Sequence, residues 1–148
     1  MQRRRTLNCG LALALLALGA GAAAETGVRA WTHTGVSPGL HTLERSVAVP
    51  YPPDAGVPHN AVITRVHAGR DHAGNADIQS FLCWNGVDQC VEIQGPSVNT
   101  AAFRGLPANQ PLYLVHRLRA WRGAAKPVFV RGTVTVWYAQ TESAHTQP

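Results

Sequence analysis

Val128-Phe129-Val130-Arg131-Gly132-Thr133-Val134-Thr135-Val136-Trp137-Tyr138 alternates with a period of two. Val128, Val130, Val134, Val136 and Tyr138 share one parity; Phe129, Arg131, Thr133, Thr135 and Trp137 share the other. A strand buried on one face has this pattern, because successive side chains leave a pleated backbone on opposite sides. The same reading extends upstream, where Leu112, Leu114, His116 and Leu118 oppose Tyr113, Val115, Arg117 and Arg119. Val62, Thr64 and Val66 similarly oppose Ile63, Arg65 and His67. Further strands are expected near 28–34, 43–49, 77–84, 89–95 and 97–104, with Gly, Pro and Asn as punctuation. No long window keeps a helical period, and Tyr51-Pro52-Pro53-Asp54-Ala55-Gly56 reads as a loop. About eight strands in so short a chain predict an all-β fold, a small antiparallel β-sandwich, with a barrel as second choice.

The segment before these strands reads as a cleaved export signal. Arg3, Arg4 and Arg5 precede an apolar run from Leu11 to Leu18, which fades into Ala22-Ala23-Ala24 before Glu25. The run is too short for a permanent span, and no later apolar run is long enough for an anchor in the mature chain. The expected organisation is a signal over 1–24, a β domain over 25–140 and a polar tail over 141–148 that frays. Export by the Sec route to the bacterial periplasm is expected. Arg4-Arg5-Thr6-Leu7 carries only part of a twin-arginine pattern, and Cys9 precedes the apolar core, where a lipoprotein cysteine does not sit. Without the signal, 124 residues remain, with ten basic against eight acidic side chains. That is one domain with one core, too mildly basic to predict a nucleic-acid partner.

Cys83 and Cys90 remain as an even pair in an oxidising compartment, so a disulfide is expected. Zinc is the rival reading, but it lacks two further ligands and a C-x2-C spacing. A cross-strand disulfide places Cys83 opposite Cys90, which pairs Leu82 with Val91 and Phe81 with Glu92, and sets Ser80 across from Ile93. Asn85-Gly86 suggests a two-residue turn, whereas the sulfurs favour a loop from Asn85 to Asp88 closed by Trp84 and Gln89.

No chemistry declares itself with comparable force. Gly95-Pro96-Ser97 is not a G-x-S-x-G elbow, no triad can be nominated, and neither catalytic residues nor a cofactor are expected. The loop Arg70-Asp71-His72-Ala73-Gly74-Asn75-Ala76-Asp77, with His67 before it, holds metal-ligand residue types but reads as a solvated hairpin tip. No methionine follows Met1, which argues against a blue-copper site, and no metal is expected. His116 sits on the apolar parity of its strand and is expected to be a hydrogen-bonded core histidine. Arg117, Arg119, Trp121, Arg122 and Lys126 bring basic and aromatic residues to one strand end and its loop. They are the candidate partner-binding residues; the competing reading is a solvated face with Trp121 folded back onto the domain.

From Leu82 onward the chain resembles the FlhE family of periplasmic flagellar proteins. The carriers are Leu82-Cys83, Cys90-Val91-Glu92-Ile93-Gln94-Gly95, Thr100-Ala101-Ala102-Phe103-Arg104-Gly105-Leu106, Ala108, Pro111-Leu112 and Val134-Thr135-Val136-Trp137-Tyr138. Gly123 and Pro127 also fall where the family has a glycine-containing loop followed by proline. Trp31 and Gly35-Val36-Ser37 agree only loosely with the family's first strand. The segment between the cysteines looks longer than in enteric members, Trp137 replaces an expected asparagine, and residues 117–126 are more basic. The resemblance implies an exported flagellar accessory, not an enzyme, that contacts the flagellar export apparatus or rod and limits proton leakage or aids assembly and swarming. Two other classes stand beside it. A periplasmic carbohydrate or peptidoglycan binder would use Trp84 and Trp121 as stacking platforms, and a pilus-chaperone-like module would offer an open strand edge.

Overall fold

A computed structural model describes residues 27–141; the expected signal and all but the first residue of the expected tail lie outside them. Among the described residues there is no helix. Eight strands follow in chain order: β1 (Arg29–Val36), β2 (Ser46–Tyr51), β3 (Ala61–His72), β4 (Asp77–Trp84), β5 (Cys90–Glu92), β6 (Ser97–Thr100), β7 (Leu112–Ala120) and β8 (Val130–Gln140). They form two four-stranded sheets, ordered β1-β8-β3-β6 and β2-β7-β4-β5, and every pairing is antiparallel. The sheets stay open and pack face to face, so the sandwich is the fold.

The decisive alternation is realised as read. Val128, Val130, Val134, Val136 and Tyr138 are buried, as are Leu112, Leu114, His116 and Leu118. The main core joins Trp31, Ile63, Val66, Val134 and Val136 of the first sheet to Tyr51, Leu82, Leu112 and Leu114 of the second. A smaller cluster at one end joins Leu40, Ile78, Leu118, Val128 and Val130, with Trp121 packed against it. Gly132 keeps the inward parity of β8 without a side chain. A Cβ there would collide with Leu114 and the Tyr51 hydroxyl, so glycine is what lets the sheets approach at this point.

Four local expectations are corrected. The parity assigned to Val62–His67 breaks, because the β3–β8 register shifts between Ile63 and Arg65. An extra residue at such a bulge turns the strand, so Ile63 and Val66 both face inward although their numbers differ in parity. The expected strand over 43–49 begins only at Ser46. Glu44 is left-handed (φ 62°), and its backbone N–H donates to the Leu118 carbonyl at 2.8 Å, making a turn of Leu43–Glu44. The strand expected over 97–104 ends at Thr100, after which a tight turn inserts the buried Phe103 into the core end and returns through Gly105 (φ 84°). The segment after His72 is not a hairpin tip, since β3 and β4 lie in different sheets and residues 73–76 cross between them.

The Cys83–Cys90 disulfide is formed, with the Cα atoms 4.0 Å apart. Leu82 pairs with Val91 and Phe81 with Glu92, as the sulfurs require. The Trp84 N–H donates to the Gln89 carbonyl at 3.0 Å and closes the loop, while Asn85 and Gly86 take positive φ inside it.

Candidate functional site

β7 carries the residues singled out for partner binding to one corner. Arg117 and Arg119 point from its outer face, two residues apart, and converge on Glu44 and Gln79. The Arg119 Nε lies 3.0 Å from Glu44 Oε1 and the Arg117 Nε lies 3.8 Å from Glu44 Oε2. Arg117 Nη2 also donates to Gln79 Oε1. Past the strand end, Arg122 reaches Asp77 at 3.7 Å, and the Lys126 ammonium sits 4.6 Å from the centre of the Trp121 ring. The five residues therefore occupy one region but divide among three local arrangements. Trp121 is folded back onto the smaller core cluster, as the competing reading expected. Four basic side chains stand against the carboxylates of Glu44 and Asp77, so the corner keeps a positive surplus. Glu44 and Gln79 carried no sequence signal, and Asp77 stood out only as part of the polar loop after β3; tertiary pairing brings all three to this corner.

His116 is fully buried between Leu114 and Leu118, and its Nδ1 lies 2.8 Å from the Ser80 hydroxyl. Burial, with the nearby charges of Arg70 and His72, lowers its pKa to about 4. The ring is thus neutral over the physiological range. Ser80 is as buried as the histidine, so the pair has no open face on which a substrate could meet it. Among the described residues, no group of three or more His, Cys, Asp or Glu side chains is arranged to hold a metal.

Both rings named as glycan platforms make contacts within the protein: Trp84 is half-buried and donates its indole N–H to the Pro107 carbonyl at 3.1 Å, and Trp121 packs on the smaller core cluster beside Lys126. Of the other tryptophans, Trp137 lies under Arg65 at 4.3 Å and Trp31 is in the core. Of the sheet edges, β5 and β6 are short and β2 carries Pro50. β1 is the long edge: its eight residues pair only with β8 and contain no proline.

No protein-family model matches the chain, and neither does any curated protein. Among solved structures the chain is similar to the crystal structure of FlhE. The two are 25% identical, the match covers 78% of this chain and 99% of that one, and the TM-score is 0.62.

Proposed function

We propose that this FlhE-like chain is a periplasmic accessory of the flagellum that acts by protein contact and performs no covalent chemistry. The observation that carries the reading is the match to FlhE along 99% of that chain, joined to the disulfide hairpin whose residues first suggested the likeness. A disulfide is at home in an oxidising compartment, which supports export. Within this reading the protein contacts the export apparatus or rod and limits proton leakage, either by occluding the path or by stabilising the closed assembly. The corner formed by Arg117, Arg119, Trp121, Arg122 and Lys126 is the proposed contact, and its positive surplus suits an acidic protein surface.

The test is cytoplasmic pH under external acid load in a deletion strain, with and without a functional flagellar export gate. The expected result is a leak that needs the gate and closes when the protein is restored. A strain that acidifies equally with and without the gate would refute the seal. A second reading rests on the open β1 edge, which suits addition of a strand from a secreted subunit in the manner of pilus chaperones. Co-purification of a secreted subunit, abolished by a proline at Thr32, would favour it.

A further inference from the structure

A polar cleft of about 370 Å³ opens where the end of β3 meets β4 and the segment Glu92–Gly95. Four charged side chains line it: Arg70, Asp77, Glu92 and Arg119. Three are already engaged by the protein. Asp77 faces Arg122 at 3.7 Å, Glu92 accepts a 2.9 Å hydrogen bond from Gln79, and Arg119 pairs with Glu44 at 3.0 Å. Arg70 differs from all of them. Its side chain enters none of the ion pairs or hydrogen bonds among the described residues, and its Nε is buried without an acceptor.

The backbone holds Arg70 in this place. It follows Val66 and Ala68 on the inward parity of β3, and its N–H donates to the Pro96 carbonyl at 2.8 Å. Burial lowers its pKa, with Asp77 acting in the opposite sense, but a guanidinium stays protonated in a protein. Close enough for the Arg70 charge to lower its pKa is a second unsatisfied group, His116 Nε2, which is buried and has no partner while Nδ1 is held by Ser80. Leaving a buried donor unmade is costly, and a charged donor more so. A planar fork of donors beside open volume is the geometry that grips a carboxylate through two parallel hydrogen bonds.

We propose that this cleft is a binding site for a carboxylate, gripped by the Arg70 guanidinium. Glu92 and Asp77 on its walls repel any anion, and a dianion more strongly than a monoanion, so the site favours a singly charged group over a dianionic phosphate. The carboxylate belongs either to a free small acid or to an acidic side chain of a docked protein.

The experiment follows the Arg70 Nε–H and the His116 ring by NMR in the purified protein during titration with acetate, with a capped peptide holding a single glutamate, and with inorganic phosphate. Saturable movement of the Arg70 resonance by acetate is expected, together with a rise in the His116 pKa as negative charge arrives beside it. Arg70→Gln should weaken the effect about tenfold or more, and Arg70→Lys, which keeps charge without the fork, should fall between. Tighter binding of the peptide assigns the site to a protein partner; equal binding assigns it to free acids. Movement that never saturates, saturation unchanged in Arg70→Gln, or a preference for phosphate overturns the proposal. The wild-type Arg70 resonance decides the matter even if the Gln variant does not fold.

Discussion

At the residue scale, His116 and Gly132 show how much one side chain, or its absence, is asked to do. The folded pKa of His116 is about 4, against 6.5 for an ordinary histidine. The unfolded chain therefore takes up a proton as pH falls through about 6.5, while the folded protein does not until about 4. Stability is complete above the upper value and is lost as pH falls across that window, by about 3 kcal/mol in all. Urea midpoints measured across the window should show this slope. His116→Leu should remove the His116 part of it, at the expense of a Ser80 hydroxyl left unpartnered at every pH. Gly132 makes the opposite case. Gly132→Ala should destabilise by about 1 to 3 kcal/mol, because the added methyl meets Leu114 and Tyr51 from the facing sheet and the closely packed interior has nowhere to move. Denaturation of this variant at neutral pH checks it; an unchanged midpoint would mean that the sheets separate there at no cost.

At the element scale, the disulfide hairpin and the β3 bulge show two ways of setting register. Cys83 and Cys90 enclose a small ring, and replacing both with serine should cost about 2 to 3 kcal/mol in the chain-entropy account. The check is the loss of midpoint in Cys83→Ser/Cys90→Ser, compared with the wild type under reduction. Both release the same loop, and the serine variant should lose at least as much, because it also buries a hydroxyl at the Cys83 position. The register of this hairpin was legible in the sequence because a disulfide tolerates only near-opposite positions. The β3 bulge was not legible. Val62, Thr64 and Val66 alternate with Ile63, Arg65 and His67 as cleanly as an unbroken strand would, and the shift depends on how β8 and the Gly105–Ala108 turn pair with β3. The end of β6 was missed for a related reason. Phe103 continues an acceptable strand pattern, but the core end lacks a plug and the chain turns to supply it.

At the scale of the whole molecule, the basic corner is where the sequence reading and the structure meet only in part. The clustering of Arg117, Arg119, Trp121, Arg122 and Lys126 was readable because the five lie within ten positions. That Glu44 and Asp77 answer part of their charge was not, because those residues come from other segments. Arg122 and Lys126 are exposed and their local contacts are of the kind worth little to stability. Arg122→Glu/Lys126→Glu should therefore leave the midpoint within about 0.5 kcal/mol of the wild type. If the corner is the contact, the same variant should fail to close the gate-dependent leak. Full rescue of the leak by this variant would move the contact elsewhere, with the β1 edge the next surface to test.

The fold class, the strand parities of β7 and β8, the disulfide and the buried histidine are all legible along the chain. Each follows from alternation or spacing within one short segment, where the pleat of the backbone leaves few choices. Which strands share a sheet, where β3 bulges, that residues 73–76 cross between layers, and which charges are answered are visible only in the folded molecule. Those outcomes depend on contacts between residues tens of positions apart, made when two sheets close on one another. Arg70 is the sharpest instance: in the sequence it is one polar residue in a polar loop, and packing alone leaves it partly buried in a cleft, without a partner.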